Sequence, residues 1–169
     1  MYSTAYGGVV PHAGRLVAVV IIALIIVGGA YELMHVNISA LPEPGAVETA
    51  FATKAKDWYI SRAARYSTPT PPPSSAAMVS TGKTLFDMGC ANCHGKDGRK
   101  PTPIGQSMYP RVLDLSSPVV QRMSDRELFW IIKNGIRLSG MPGFGRIQSD
   151  VQIWKLTYYV RSLGNRSKP

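Results

Sequence analysis

The chain contains few of the side chains that most often bind metals, with 2 cysteines and 3 histidines among its 169 residues. His12 and His35 lie far along the chain from both cysteines, so no stretch gathers the four ligands of a structural zinc site. No βαβ pattern surrounds the cysteines, as a thioredoxin-like dithiol requires. No internal repeat is visible, and no alternating strand pattern follows residue 80. Zinc and dithiol chemistry therefore remain only as the weaker alternatives, and the second half of the chain is expected to be helical.

Both cysteines belong to one motif, Cys90-Ala91-Asn92-Cys93-His94. Two thiols at this spacing each add to a vinyl group of haem and form two thioethers. The histidine that follows is then held below the iron as an axial ligand. The motif therefore predicts one covalent c-type haem, bound through Cys90 and Cys93 and ligated by His94.

An uncharged apolar run, LVAVVIIALIIVGGAY, covers residues 16–31. Extended to Met34, it reaches about 28 Å as a helix, close to the ~30 Å hydrocarbon core of a bilayer. Arg15 precedes the run and favours a cytoplasmic N-terminus, which leaves the rest of the chain outside, where haem is attached. A cleavable signal peptide is the alternative, because Gly28 and Ala30 supply small residues for a cleavage site. We expect an uncleaved single-pass anchor in a bacterial inner membrane, with the haem domain in the periplasm.

Composition divides the chain into four segments. Residues 1–36 carry the N-terminal tail and the transmembrane anchor, and residues 37–66 form a connecting segment. Its residues 47–66 predict an amphipathic helix that packs on the haem domain, the membrane interface or a partner subunit. Residues 67–80 are Pro-rich and predict an extended tether that lets the haem domain stand off from its anchor. Residues 81–169 are expected to form the haem domain.

Helix signals recur through this last segment. The predicted helix starts are Thr81 after the N-cap Ser80, Pro118 after Ser117, and the capping boxes that begin at Ser124 and Ser149. Gly- and Pro-rich loops are expected at residues 95–110 and 140–145. The fold class is therefore a small all-α domain whose thin core a buried haem would help to fill.

The sixth iron ligand is expected to be a methionine. Of the candidates within the haem domain, Met88 is too close to Cys90 to reach the far side of the ring. Met141 lies between glycines that let the backbone approach a flat ring, and Pro142 stiffens its loop. We therefore predict Met141 as the ligand, with Met108 as the main alternative. A His/Met pair leaves no open position and favours electron transfer over oxygen or peroxide chemistry.

Positive charge is concentrated in the part that carries the motif. The chain has a net charge of +9, and residues 82–169 hold 14 Lys and Arg against 6 Asp and Glu. A basic surface of this kind attracts nucleic acid, anionic lipid or acidic proteins. The haem motif favours acidic redox proteins, a donor and an acceptor, rather than nucleic acid. An ordinary solvated surface is the alternative.

Residues from about 82 onward resemble a class I cytochrome c, of the bacterial membrane-anchored mono-haem type. The matching pieces are Gly82 and Phe86 before the haem motif, CANCH itself, the run NGIRLSGMP, and an aromatic C-terminal helix with Trp154, Tyr158 and Tyr159. The resemblance implies a fold in which the first and last helices of the domain cross, with Gly82 against an aromatic such as Trp154 or Tyr158.

The resemblance also implies roles for individual residues. His94 is the proximal ligand, Met141 is the distal ligand, and the carbonyl of Pro103 orients the proximal histidine. The haem propionates are expected to meet a set of polar and aromatic residues, Tyr109, Arg111, Trp130 and Arg137. The implied function is electron transfer without catalysis, either as a carrier or as the haem subunit of a respiratory or photosynthetic complex. A haem enzyme or gas sensor with a labile sixth ligand is the alternative.

Overall fold

The computed structural model describes residues 12–35, 39 and 41–165, and this part of the chain is helical without a β-strand. The helices are α1 (His12–Met34), α2 (Ala46–Ser67), α3 (Ala76–Gly89), α4 (Ala91–His94), α5 (Pro103–Ser107), α6 (Pro118–Gln121), α7 (Asp125–Asn134) and α8 (Asp150–Asn165). A 3-10 turn covers Phe144–Arg146. The chain forms two compact units, Met1–Ser39 and Ala40–Pro169. The all-α prediction is confirmed.

The first unit is built on helix α1. Within it, Ala13–Met34 is long and apolar enough to cross a membrane. Its large aliphatic side chains, such as Ile21 and Leu24, are exposed, as expected where lipid is the solvent. The helix is longer than the predicted apolar run, and the ring of His35 stacks on Tyr31 just beyond its end.

The second unit is organised by the crossing of α3 and α8. A β-carbon on Gly82 would lie 2.0 Å from the carbonyl oxygen of Lys155 and 3.0 Å from Cβ of Tyr159. The aromatic residue at the crossing is therefore Tyr159, rather than Trp154 or Tyr158. The backbones meet so closely that only glycine fits. Around the crossing lies the main core, which includes Phe86, Phe129, Ile132, Ile153, Trp154, Leu156, Tyr158, Tyr159 and Leu163.

Helix α3 begins five residues earlier than the sequence predicts. Its N-cap is Ser75, whose hydroxyl oxygen accepts a hydrogen bond from the amide of Met78 at 3.2 Å. The hydroxyl of Thr81 instead donates to the carbonyl of Ala77 inside the helix. The predicted cap at Ser80 is thus wrong, because Ser75 offers the same capping chemistry immediately after the prolines.

The Pro-rich segment before α3 lies against the second unit. The hydroxyl of Tyr158 donates to the carbonyl oxygen of Pro72. Thr68 is buried, and its hydroxyl donates to the carbonyl of Arg126 at 3.4 Å. The segment therefore runs along the surface of the domain.

Helix α2 packs on α7 of the same unit. Ile60 and Ala64 are buried at this contact. The ring of Tyr59 meets that of Trp130 edge-on, with centroids 5.8 Å apart, and the Ser61 hydroxyl donates to the Glu127 carboxylate. Of the three environments predicted for this helix, the structure gives contact with the haem domain.

The remaining helices follow their sequence signals, with two additions. The capping box of Ser124 and Glu127 opens α7, which ends before Gly135, and the second predicted box precedes α8. Helix α5 and the 3-10 turn occupy stretches that the sequence predicts as loop. Thr102 caps α5 by accepting a hydrogen bond from the amide of Gly105 at 3.3 Å, so a polar side chain inside a loop started an unpredicted helix.

Candidate haem site

The attachment motif lies where α3 passes into α4. Cys90 ends α3, with its amide donating to the carbonyl of Phe86 at 2.8 Å, and it precedes the single turn of α4. Gly95 follows His94 with φ of 78°, and a β-carbon there would lie 2.1 Å from the carbonyl oxygen of Lys100. The glycine therefore turns the chain sharply after the histidine. Cys90 and Cys93 are both half-buried and are not joined in a disulfide.

The imidazole of His94 is oriented by a hydrogen bond to the backbone. Its Nδ1 lies 3.4 Å from the carbonyl oxygen of Leu113, so Nδ1–H donates and the Nε2 lone pair is free. Burial lowers the pKa of His94, against the opposing effect of this hydrogen bond, and so favours the neutral ring. The predicted orienting carbonyl, that of Pro103, is replaced by Leu113. Pro103 instead begins α5.

Helix α5 supports the motif from outside. The hydroxyl of Thr102 donates to the carbonyl of Asn92 at 2.6 Å, and its amide donates to the carbonyl of Cys93 at 3.1 Å. A β-carbon on Gly105 would lie only 2.3 Å from that Cys93 oxygen. The close approach fixes the turn that carries the second cysteine and the histidine.

The loop that carries Met141 lies beside this motif. The amide of Met141 donates to the hydroxyl of Ser139 at 3.2 Å, and its carbonyl accepts from the amide of Ile136 at 3.3 Å. The side chain is half-buried and packs against the main core, as Cys90 does. A β-carbon on Gly89, next to Cys90, would lie 3.4 Å from the ring of Phe144, three residues after Met141. The methionine loop and the attachment motif therefore share one end of the domain.

The second methionine candidate lies against the same loop. A β-carbon on Gly140 would lie 2.4 Å from the sulfur of Met108. The thioether of Met108 thus occupies the space that a side chain at position 140 would need. The structure brings both candidate methionines together, and Met141 differs from Met108 in lying on the loop that packs against the core.

The four residues predicted to meet the propionates have different surroundings. Arg111 is exposed and pairs with Glu43 at 2.6 Å. Trp130 contacts the ring of Tyr59 on α2. Tyr109 is half-buried and Arg137 is exposed. Arg111 and Trp130 therefore have contacts outside the site, which connect the segment before α3 to the domain.

Two features of the site were missed by sequence reasoning. The carbonyl of Leu113 carries no side-chain signal, so no pattern identifies it in advance. The indole Nε1 of Trp154 is buried and has no hydrogen-bond acceptor among the described residues. The sequence marks Trp154 only as a helix-packing aromatic, and a buried donor of this kind fits a polar group of a bound cofactor.

The available donors fit a covalent haem better than a zinc ion. Two unpaired thiols are presented at the right spacing, with a neutral imidazole beside them and a methionine loop at the same end. Over residues 12–35, 39 and 41–165, no three His, Cys, Asp or Glu side chains are grouped so as to hold a metal ion. A four-ligand zinc site is therefore not formed by this part of the chain.

Comparison with known proteins agrees with this chemistry. Residues 77–160 match the family described as cytochrome C oxidase, cbb3-type, subunit III. The cbb3-type cytochrome c oxidase subunit CcoP of Azospirillum brasilense is 30% identical over 91 residues, which are 54% of this chain and 30% of that protein. The chain thus matches less than a third of that relative's length. The Kuenenia stuttgartiensis reducing HAO-like protein complex Kustc0457/Kustc0458 shares the fold, with a TM-score of 0.50 and 23% identity over 60% of this chain and 53% of that one. By its fold, its attachment motif and these matches, the chain belongs to the class I c-type cytochromes.

Proposed function

We propose that this protein transfers electrons through one haem c, bound covalently by Cys90 and Cys93 and ligated by His94 and Met141. The observation that carries the proposal is the pairing of a neutral, carbonyl-held His94 with a methionine loop at the same end of the domain. When bound, the haem supplies a ferric–ferrous couple. Two protein ligands leave no open coordination position, so little rearrangement accompanies electron transfer.

The protein's own residues keep the site in one geometry. Leu113 holds the imidazole through its carbonyl, and α5 supports the turn that carries Cys93. The hydrogen bonds of Ser139 and Ile136 fix the backbone on both sides of the Met141 side chain. A ligand set held by backbone contacts reorganises little on a change of charge, which suits a carrier of electrons.

Replacing each methionine in turn tests the ligand assignment. We expect Met141→Ala to abolish the weak near-infrared band of sulfur-to-iron ligation in the ferric protein and to open the ferrous protein to carbon monoxide. Met108→Ala is the matched control, because it removes a neighbouring thioether and should keep the band. The assignment is wrong if Met108→Ala alone removes the band. A high-spin parent protein that binds carbon monoxide would favour the haem enzyme or gas-sensor function instead.

A basic turn beside the motif supports docking of an acidic redox partner. Lys96, Arg99 and Lys100 follow His94 almost directly, and none of them forms an ion pair in the part of the chain that the structure describes. Asp97 in their midst accepts hydrogen bonds from the amides of Arg99 and Lys100, at 2.9 and 3.3 Å, which lower its pKa. Its carboxylate therefore fixes the turn that presents the three cations.

Charge reversal at this turn tests the docking proposal with ferricyanide as an anionic oxidant. We expect Lys96→Glu to slow stopped-flow oxidation of the reduced protein by roughly up to tenfold at low ionic strength, with a smaller effect at high salt. Arg122→Glu changes the net charge equally at the residue that follows α6, outside the turn that carries the three cations, and should alter the rate much less. Equal effects of the two variants would contradict a docking role for the basic turn.

The cellular setting follows from α1 and the relatives. We propose that the haem domain faces the periplasm of a bacterial inner membrane, as a mobile carrier or as a subunit of a larger membrane complex. The similarity to an oxidase subunit supports the second form, and native electrophoresis of solubilised membranes separates the two. A carrier would migrate alone, whereas a subunit would co-migrate with its complex.

A further inference from the structure

Helix α2 exposes aromatic side chains on the face opposite its contact with α7. Ile60 and Ala64 point toward α7 and are buried. On the other side, Phe51, Trp58 and Tyr66 are 76%, 67% and 76% exposed. Several large, exposed aromatic side chains on one helix of a folded domain indicate a surface that contacts another molecule or a membrane.

Cations share this face with the aromatics. At about 100° per residue, Lys54, Arg62 and Arg65 fall with Phe51, Trp58 and Tyr66 in one arc of about 120°. We name these six residues the aromatic–cationic face.

Of the two acidic residues of α2, Glu48 falls at the edge of the arc, in the same direction as Tyr66, so the three cations of the face outnumber one carboxylate. Asp57 lies outside the arc and pairs with Lys56. Arg62 lies over the ring of Tyr66, 5.7 Å from its centroid. Lys54 and Arg65 have no ion-pair partner among residues 41–165. The face therefore presents a net positive charge together with apolar rings.

Rings and cations mixed on one face match the chemistry of a lipid headgroup layer. Trp and Tyr prefer the boundary between headgroups and acyl chains, and Lys and Arg bind anionic headgroups above them. Protein interfaces are also enriched in aromatic residues and arginine, but they are depleted of lysine. Lys54 is therefore the residue of the face that favours an anionic bilayer surface over a protein partner.

The covalent connection to α1 supplies a second argument for the same surface. The chain from Met34, the last residue of the apolar helix, to Ala46, the first of α2, spans at most about 40 Å. A bilayer crossed by α1 would thus hold the aromatic–cationic face at a high effective concentration near its surface. A soluble acidic protein has no such advantage.

We propose that the aromatic–cationic face of α2 lies on the anionic lipid surface of the bilayer that α1 crosses. Because α2 is packed on α7, this contact would fix the orientation of the whole haem domain relative to the membrane. The proposal does not depend on which methionine ligates the iron.

Site-directed spin labelling of the full chain tests the contact. Ala55 lies within the arc and is exposed, and Ala77 on α3 is exposed on another helix. With the native cysteines bound to haem, Ala55→Cys and Ala77→Cys each offer one thiol for a nitroxide. The labelled chains are reconstituted into vesicles of phosphatidylcholine, with or without phosphatidylglycerol. Accessibility to oxygen and to a water-soluble nickel chelate is then measured.

We expect the label at position 55 to become accessible to oxygen and protected from the chelate in phosphatidylglycerol vesicles, while position 77 stays open to water. Each cation contributes about fivefold to binding at an anionic surface, so Lys54→Gln, Arg62→Gln and Arg65→Gln together should weaken the contact about 100-fold and expose the label. An unchanged visible spectrum of the haem verifies that this variant is folded.

Three results would overturn the proposal. The label at position 55 remains open to water in both kinds of vesicle, or it is buried equally in pure phosphatidylcholine. In the third result, the spectrum of the label at position 55 shows dipolar broadening between labels that persists when the chain is diluted with more lipid. This result would assign the face to a second copy of the chain.

Discussion

Replacing Gly82 by alanine tests the crossing on which the domain is built. A β-carbon at this position would lie 2.0 Å from the Lys155 carbonyl oxygen, whereas a comfortable C···O contact is about 3.3 Å. The helices must therefore separate by about 1 Å, and overpacking of this kind costs about 1–3 kcal/mol. Alanine regains about 0.5–1 kcal/mol of helix propensity. Because the obstacle is backbone, which cannot rotate away, we expect a net loss of about 1–2 kcal/mol in the free energy of unfolding.

The assay is denaturant unfolding of the haem-loaded full chain in detergent, followed through the haem absorbance, which reports on the second unit. Gly89→Ala is the matched control on the same helix, because its β-carbon would meet only the ring of Phe144 at 3.4 Å. We expect the free energy of unfolding of this variant to equal that of the parent or to exceed it by about 0.5 kcal/mol. If Gly82→Ala is as stable as the parent, the helices are not in backbone contact and the reasoning is refuted.

Two further predictions concern the start of α7. Ser124→Ala removes the side chain that accepts from the Glu127 amide, and should cost about 1 kcal/mol in the same unfolding assay. Ser117→Ala is the control and should lower the free energy of unfolding much less, because the buried Ser117 hydroxyl caps no helix and has no hydrogen-bond partner among the described residues. Equal losses of stability in the two variants would contradict the capping role of Ser124. Burial raises the pKa of Glu127, but hydrogen bonds from Ser61 and Ser124 outweigh it and hold the value below the ordinary ~4.3. A carboxyl whose pKa is lowered in the folded state stabilises the fold at pH values above its unfolded-state pKa, and this stabilisation is lost as the pH falls through its folded-state pKa. Ser61→Ala should therefore raise the folded-state pKa of Glu127 and shift the loss of stability to higher pH. An NMR titration of the Glu127 carboxyl that shows no change would contradict it.

Local signals in the sequence predicted the parts of the fold that depend on neighbouring residues. The capping box at Ser124, the proline start at Pro118 and the apolar run of α1 each form the expected helix. The start of α3 was wrong because Ser75 and Ser80 offer the same cap, and a local pattern does not rank equivalent caps. Helix α5 was missed because its only signal, Thr102 before a proline, lies in a stretch dominated by loop-forming residues.

The sequence by itself predicts the attachment chemistry, because the spacing of Cys90, Cys93 and His94 along the chain carries the information. It also determined the helical class and the apolar anchor segment, since both follow from short-range periodicity and composition. Only the tertiary structure decided which groups come together from distant positions. The Leu113 carbonyl behind the histidine, Met108 against Gly140, and α2 on α7 are long-range contacts. Such contacts arise from the packing of helices. Backbone carbonyls and glycines contribute no side-chain pattern to the sequence, so the sequence does not predict which residues they contact.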